Sequence, residues 1–483
     1  MNNHPSIKRN AILNIIRTLL SIVFPLITFP YATRILLPDG IGKTQFASGI
    51  ISYFVMVAGL GIGTYGIRET AKNRDDSQSL TKVTKELFVL SLIPTVIAYI
   101  LFGIALFVVP KFYEYRTLLI IYSATILFAT LGVEWLYSGL EQYKYITIRQ
   151  FAFQIFSLVT LFLFVRQKED TLKYAAISVL ANVGANACNF VHSRKYIQWC
   201  LPVKLNITKH LKPVFVLFGT RIAASLYVAL DTTLLGFLCG DAQVGYYEAA
   251  NKMTRVVVGL ITSVTAVLLP RLSYYIEKRE NSAFHNLLEQ SFDVLIFFAL
   301  PLTVGLFFLS ENIILIISGV QFLPAVSTMC MLSPLVLIIP LSGFLGNQIF
   351  LPLGKERISL YAMLTGAVVN IVLSIVFIKR FGAFGAAFAS VLAETSITVF
   401  YFIIACRQKL FSCKLKTFGH CVIATIIMAA AVYFVNKFEL NLFIKTSLST
   451  VCGIVVYAFV LAILRNPTYL DLYNQIRNKI FSK

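Results

Sequence analysis

The chain has 483 residues, of which 58% are hydrophobic and only 13% are charged. An ordinary soluble domain is about a quarter charged, so this composition excludes one, and the mean hydropathy of +0.78 indicates a protein that crosses a membrane many times. The net charge of +20 would suggest a nucleic-acid partner for a soluble protein. Here the surplus falls mostly in loops between apolar segments, where the positive-inside rule explains it, so no nucleic-acid partner is expected.

Fourteen apolar segments follow one another along the chain, each close to or above the ~20 residues that cross a bilayer. They predict an all-α polytopic membrane protein. The first segment is too long for a cleavable signal peptide and carries Arg17, so it is expected to remain as a transmembrane helix. The predicted helices are 10–36, 43–67, 86–109, 116–139, 146–165, 171–193, 213–239, 244–270, 286–309, 322–350, 357–378, 383–405, 418–435 and 443–464.

The basic residues of the loops predict the orientation of the chain. The N-terminus, the even-numbered loops and the C-terminal tail together hold 27 Lys and Arg residues, whereas the odd-numbered loops hold 11. Because Lys and Arg are retained on the cytoplasmic side, both termini are expected to be cytoplasmic.

The helices are expected to form two pseudo-symmetric six-helix lobes plus two C-terminal helices. The longest polar gap separates the lobes and is too short to fold as a domain. After Pro467, one helical face with Tyr469 and Tyr473 suits an amphipathic helix on the inner leaflet, with a plain solvated tail as the alternative. The predicted divisions are an N-terminal lobe at 1–195, a cytoplasmic connector at 196–212, a C-terminal lobe at 213–405, two additional helices at 406–465 and the tail at 466–483.

The sequence contains a repeat with an offset of about 203 residues. Gly42 follows Asp39 in the turn between helices 1 and 2, and Gly245 follows Asp241 between helices 7 and 8. Each glycine permits a tight turn and a close approach of the next helix. Two homologous halves of this kind are common in transporters, with the substrate site at their interface. The alternative is that Gly- and Ala-rich turns recur by chance in an apolar protein.

Four basic residues lie inside predicted transmembrane helices. Each costs roughly 2.5–3.5 kcal/mol at the centre of a membrane, so each must line water, form an ion pair or hold a ligand. Two acidic residues, Asp231 and Glu248, lie near them and can serve as charge partners or couple transport to protons. Four bases against two acids leave a surplus that favours an anionic ligand such as pyrophosphate. The predicted substrate-binding residues of this cationic cavity are Arg17, Arg221, Lys252 and Arg255.

Polar residues that share faces with these charges predict the rest of the cavity lining. The alternative for Arg221–Asp231 and Glu248–Lys252 is a pair of buried ion pairs that only hold helices together. Arg149 falls at the start of its predicted helix, where a long side chain is expected to extend to the interface. The predicted polar lining residues are Asn14, Ser21, Ser48, Ser52, Ser225 and Thr232.

The sequence offers little support for an enzyme. The five histidines are scattered, there is no HExxH or acid–His grouping, and no nucleotide-binding motif appears. The eight cysteines include no CxxC pair and mostly lie in or beside apolar segments, so neither a disulfide framework nor a metal site is expected. We therefore expect no catalytic residues, metal or cofactor.

A resemblance is carried by short motifs in a fixed order over essentially the whole chain. They are RN at 9–10, FPYATRIL at 29–36, GIG at 40–42, GTYGIRE at 63–69, GYYEAANK at 245–252 and FGAA at 384–387. In this order they resemble Wzx-type O-antigen flippases of the multidrug/oligosaccharidyl-lipid/polysaccharide exporter superfamily. The resemblance implies two six-helix lobes around a central cavity. It also implies a bacterial inner-membrane protein that moves undecaprenyl-pyrophosphate-linked oligosaccharide to the periplasmic leaflet by alternating access.

The resemblance further implies that cationic cavity residues meet the anionic substrate and that membrane lipid surrounds the chain. A polysaccharide polymerase and a chain-length regulator are conceivable partners. Three alternatives remain open. The first is a lipid II flippase, which shares the fold but usually carries more arginines in the first helices than this chain does. The second is a multidrug or cation exporter, which should prefer an acidic cavity. The third is a membrane-embedded polysaccharide polymerase, which usually needs a substantial external loop.

Overall fold

The computed structural model describes residues 7–266, 268–278, 280–408, 410 and 415–481. Some helical side chains lie outside this description, among them those of Asn14, Ser21, Arg221 and Ser225. Every regular element in the described part is helical. The helices are α1 (Ile7–Gly59), α2 (Ile62–Asn73), α3 (Ser77–Val108), α4 (Pro110–Glu114), α5 (Arg116–Leu131), α6 (Glu134–Gly139), α7 (Tyr143–Phe164), α8 (Thr171–Ser193), α9 (Thr208–Leu238), α10 (Asp241–Ala266), α11 (Leu269–Glu277), α12 (Asn281–Phe308), α13 (Ser310–Ile317), α14 (Ala325–Leu332), α15 (Leu335–Gly343), α16 (Glu356–Arg407), α17 (Leu415–Asn436), α18 (Leu442–Ile463) and α19 (Pro467–Phe481).

Ten segments of the described chain are long and apolar enough to cross a membrane. Two of them are longer than one span needs. The first is Val23–Asn73, 51 residues through α1 and α2, and the second is Glu356–Arg407, the 52 residues of α16; a non-helical residue lies inside each, Leu37 and Gly382. The 31-residue α9 and the 26-residue α10 also have the length of a span. The predicted all-α polytopic architecture is confirmed.

The connections predicted at 37–42 and 379–382 are much shorter in the structure than expected. Within α1 only Leu37 leaves helical geometry, with φ 61° and ψ 176°, and within α16 only Gly382 does so, with φ 55°. Pro38, directly after Leu37, cannot donate a backbone hydrogen bond and disfavours helical geometry in the residue before it. A single residue therefore reverses the chain, and helical hydrogen bonding resumes at once on either side.

Contacts within the chain define two compact units, Met1–Gly245 and Tyr246–Lys483. In the first unit, a buried core joins α1, α3, α5 and α8 through side chains such as Phe46, Ile51, Leu119 and Ile126. The helix α9 also packs in this unit, against α1 and α2. The lobe boundaries predicted from the sequence remain a prediction.

In the second unit, the hairpin of α17 and α18 packs against α12. The hydroxyl of Tyr457 donates to the carbonyl of Phe297 at 2.9 Å, and the amide of Asn436 donates to the carbonyl of Phe308 at 3.0 Å. The helix α19 follows Pro467, as the tail pattern predicts; its position on a membrane remains a prediction.

A buried polar cluster fixes the chain that leads into α9 to the rest of the first unit. The fully buried carboxylate of Glu86 accepts from Lys209 Nζ at 2.8 Å, from His210 Nε2 at 2.9 Å and from the backbone N–H of Asn206 at 2.8 Å. The other ring nitrogen of His210 contacts the Tyr65 hydroxyl at 2.8 Å. Because three donors pair with the buried carboxylate, these contacts offset the cost of removing it from water and fix this connection.

The two turns of the repeat, one at Gly42 and the other at Gly245, contact each other through equivalent backbone positions. A methyl group at Gly42 would overlap the backbone carbonyl of Asp241, and one at Gly245 would overlap the backbone carbonyl of Pro38. The 203-residue offset converts one contact into the other, because it relates Gly42 to Gly245 and Pro38 to Asp241. The repeat is therefore structural as well as sequential, and it explains why glycine stands at both positions.

We expect Gly42→Ala and Gly245→Ala each to destabilise the protein by about 1–3 kcal/mol, because the added methyl forces two backbones apart. Thermal unfolding of the purified protein in detergent measures the effect. Gly103→Ala is the matched control, since a methyl there meets nothing within 4 Å and alanine favours the helix. Equal unfolding temperatures for all three variants would contradict the close contact.

Candidate functional site

A polar cavity of about 350 Å³ lies inside the first unit, between α1, α5 and α8. Ser48 and Ser52, two of the predicted lining residues, contribute to its wall. Tyrosine, threonine and asparagine side chains from α5 and α8 face them. The polar residues of the lining are Gln45, Ser48, Ser52, Tyr122, Thr125, Tyr174, Ser178 and Asn182.

A second cavity of about 400 Å³ adjoins the first, and the two share Ser52, Val55 and Ala129 in their walls. This second cavity extends along α1 and reaches the carboxylate of Glu134 and the indole of Trp135. The first cavity is therefore lined by uncharged residues, and the second, which shares part of its wall, contains a carboxylate.

Arg17, the first predicted cation, is paired in this structure. Its Nη2 lies 2.5 Å from Glu134 Oε1, and its Nε donates to Gln150 Oε1 at 3.2 Å. The side chains of Arg17 and Glu134 are 28% and 43% exposed, so the pair remains accessible. The count of four bases against two acids omitted Glu134 and also Arg149; with both included, the surplus is again two positive charges.

Arg149 lies beside this pair and is a basic residue that the sequence analysis missed. The helix α7 begins at Tyr143, so Arg149 sits almost two turns inside it rather than at its start. Its Nε and Nη1 atoms are buried and have no hydrogen-bond partner among the described residues. It interacts electrostatically with Glu134 and Arg17. The expectation that its side chain extends to the interface is therefore wrong.

The charged residues Glu248, Lys252 and Arg255 form a stripe along α10, near the start of the second unit. Lys252 interacts electrostatically with Glu248, one turn earlier on the same helix. Arg255 is exposed, and its Nε contacts Asn251 Oδ1 at a long 3.4 Å. The helical spacing that the sequence predicts for this stripe is present, and its role in substrate binding remains a prediction.

The predicted residues of α9 are only partly described. The side chains of Arg221 and Ser225 lie outside the described part of the chain, as do those of Asn14 and Ser21 on α1. Asp231 and Thr232 are buried, at 4% and 7% exposure, and Asp231 interacts electrostatically with Tyr53 of α1. Asp231 thus faces the packed side of α1 rather than either cavity, whose walls do not include it.

Comparison with known families gives two matches along the chain. The family model described as polysaccharide biosynthesis protein matches residues 7–276, and the MatE model matches residues 217–376. A protein of Escherichia coli strain K12 named as an O-antigen transporter is 23% identical over 85% of this chain and 99% of its own length. A protein of Haloferax volcanii named as a low-salt glycan biosynthesis flippase is 22% identical over 54% of each chain.

Solved structures show the same fold. An inward closed structure of the lipid II flippase MurJ superposes with a TM-score of 0.76 at 18% identity and covers 96% of this chain and all of its own. An inward-facing multidrug resistance MATE transporter of the MOP superfamily gives a TM-score of 0.63 at 14% identity, covering 82% of this chain and 99% of its own. At these identities the likeness establishes the fold and not the substrate.

Proposed function

Because the chain belongs to the polysaccharide biosynthesis protein family, whose model matches more than half of it, we propose that it is a flippase for lipid-linked oligosaccharide. The substrate is an undecaprenyl-pyrophosphate-linked repeat unit of O-antigen, capsule or exopolysaccharide. The observation that carries the proposal is an accessible arginine, Arg17, next to a polar cavity inside a bundle of membrane helices. The relatives named as an O-antigen transporter and a glycan biosynthesis flippase support the same class of substrate.

The pyrophosphate binds through charge-assisted hydrogen bonds to a set of basic residues that begins with Arg17, beside the second cavity. Arginine suits this role because its planar guanidinium presents paired donors to phosphate oxygens. In the protein without substrate, the carboxylate of Glu134 forms an ion pair with Arg17. The pyrophosphate displaces that carboxylate when it binds. Arg221, Lys252 and Arg255 complete the proposed set. The exchange keeps Arg17 paired in both states, which avoids the cost of leaving its charge unpaired in the membrane.

Transport follows the alternating-access scheme of transporters built from repeats. The sugars travel in the polar interior while the polyprenyl chain remains in lipid, and the site opens first to the cytoplasmic and then to the periplasmic leaflet. The protein resides in the bacterial inner membrane with both termini in the cytoplasm, as the loop charges favour. A polymerase and a chain-length regulator act on the product after it has crossed.

Proton coupling is assigned to Glu248 and Asp231. Protonation of Glu248 would release Lys252 from its electrostatic partner and change the affinity for pyrophosphate. We expect Glu248→Gln and Asp231→Asn to flatten the pH dependence of transport while the proteins remain folded. Flipping measured across a series of imposed pH gradients tests this, and unchanged pH dependence in both variants would refute the coupling.

Accumulation of the substrate in cells tests the proposed function. Deletion of the gene should strand single lipid-linked repeat units on the cytoplasmic side, and expression of the wild-type chain should clear them. Accumulation of lipid II instead would favour the second candidate, a lipid II flippase, to which the MurJ-like fold also corresponds. If neither precursor accumulates and drug susceptibility changes, the protein is a multidrug exporter. If single lipid-linked repeat units accumulate on the periplasmic side, the protein is a polymerase.

A further inference from the structure

The uncharged cavity between α1, α5 and α8 is built from three regular polar stripes. Residues three or four apart lie on one face of a helix, so each stripe runs along one wall. The stripes are Gln45, Ser48 and Ser52 on α1; Tyr122, Thr125 and Ala129 on α5; and Tyr174, Ser178 and Asn182 on α8. Ala129 is the one apolar member of these stripes, and it leaves the α5 wall small where the two cavities share residues.

Several of these side chains retain hydrogen-bonding capacity. The hydroxyls of Ser52 and Thr125 donate to carbonyls of their own helices, both at 2.6 Å, which leaves their oxygen lone pairs available. Gln45 and Ser48 form no side-chain hydrogen bond with another residue of the described chain. Polar groups that line a cavity and keep hydrogen-bonding capacity are suited to a polar occupant.

The charge of the lining narrows the class of occupant. None of the described residues that line this cavity is charged, so it offers a pyrophosphate no cation and a cationic drug no carboxylate. Hydroxyl and amide groups together with two tyrosine rings fit a neutral sugar. The hydroxyls of a sugar form hydrogen bonds with such groups, and its C–H faces pack on aromatic rings. A volume of about 350 Å³ lies within the usual range of small-ligand pockets, roughly 300–1,000 Å³.

The arrangement of the two cavities matches the order of groups in the substrate. The sugar chain is bonded directly to the pyrophosphate, and the uncharged cavity shares part of its wall with the one that reaches Glu134, the partner of Arg17. We propose that the cavity between α1, α5 and α8 is a saccharide subsite, which holds the sugars next to the pyrophosphate. This assignment rests on the proposed flippase function and adds to it the surface that selects the saccharide.

The test compares binding of two lipids by the full-length protein in nanodiscs. One is the lipid-linked oligosaccharide isolated from cells that lack this gene, and the other is undecaprenyl pyrophosphate without sugar. Intrinsic fluorescence reports binding, since Trp135 lines the adjoining cavity and only Trp199 accompanies it in the chain. The wild-type protein should bind the glycosylated lipid at least about tenfold more tightly, as expected for two or more hydrogen bonds.

The double variant Tyr122→Phe with Thr125→Val removes two oxygen atoms and almost no volume. It should lose about tenfold in affinity for the glycosylated lipid and nothing for the sugar-free lipid. Tyr361→Phe with Thr365→Val is the matched control, because Thr365 also donates to the carbonyl of a tyrosine one turn earlier, on an exposed face of α16. The control should bind both lipids as the wild type does.

Four results would overturn one proposal or the other. No change in the Tyr122→Phe/Thr125→Val variant, or an equal loss for both lipids, would overturn the saccharide subsite. Equal binding of both lipids by the wild type would do the same while leaving the flippase proposal intact. Failure of the folded wild-type protein to bind either lipid would instead overturn the flippase proposal itself.

Discussion

Lys252→Ala is expected to lower the rate of flipping of lipid-linked oligosaccharide by about 100-fold. A charge-assisted hydrogen bond contributes about 1.5–3 kcal/mol, and each 1.4 kcal/mol is a factor of ten. Lys252 lies near the middle of α10, one turn after Glu248, where a cation in a membrane helix is costly unless it is paired or holds a ligand. In the account given above it is retained because it meets the pyrophosphate of the substrate.

The measurement is the rate at which a fluorescent lipid-linked oligosaccharide changes leaflet in proteoliposomes. Lys252→Arg should retain most of the rate, because it keeps a cation at the same height in the helix. Lys204→Ala is the control, since that lysine is exposed in the segment before α9. Wild-type rates in a folded Lys252→Ala protein would show that the pyrophosphate binds elsewhere.

Replacing both members of the Arg17–Glu134 pair by glutamine is expected to slow flipping at least tenfold while the protein stays folded. Neutral partners that can still hydrogen-bond replace this partly exposed ion pair at little cost in stability, so the double variant separates a structural role from a binding role. Glu134→Gln alone keeps the cation and should still flip substrate. The tenfold loss corresponds to about 1.4 kcal/mol of lost phosphate binding.

Flipping assays and thermal unfolding of Arg17→Gln, Glu134→Gln and the double variant test this expectation. If the pair only holds α1 against α6, the single variants should unfold at lower temperature and the double variant should recover both stability and transport. Full transport by the double variant would therefore remove Arg17 from the proposed binding site.

The spans of this protein could be predicted from the sequence because hydropathy and charge act locally. The repeat was also visible, since Gly42 and Gly245 satisfy the same close backbone contact in the two turns. The shape of those turns could not be predicted from the sequence. A single residue, Leu37, reverses the chain in a left-handed conformation, and no pattern in the sequence separates that from a short loop.

The candidate site was predicted less completely than the fold. Intramembrane charge identified Arg17, but its partner Glu134 is 117 residues away in the sequence, on another helix. Arg149 was missed because an error of three residues in the start of α7 moved it from the interior of a helix to its end. Pairings between distant helices depend on tertiary packing, which the periodicity of a single helix does not encode.

The central claim is that this chain moves a lipid-linked oligosaccharide from one leaflet to the other. The direct test is reconstitution of the wild-type protein in proteoliposomes with fluorescent undecaprenyl-pyrophosphate-oligosaccharide and an imposed proton gradient. The account predicts that lipid from the opposite leaflet becomes accessible to an external quencher, and that Lys252→Ala abolishes this. A folded wild-type protein that leaves the lipid in its original leaflet would contradict the account.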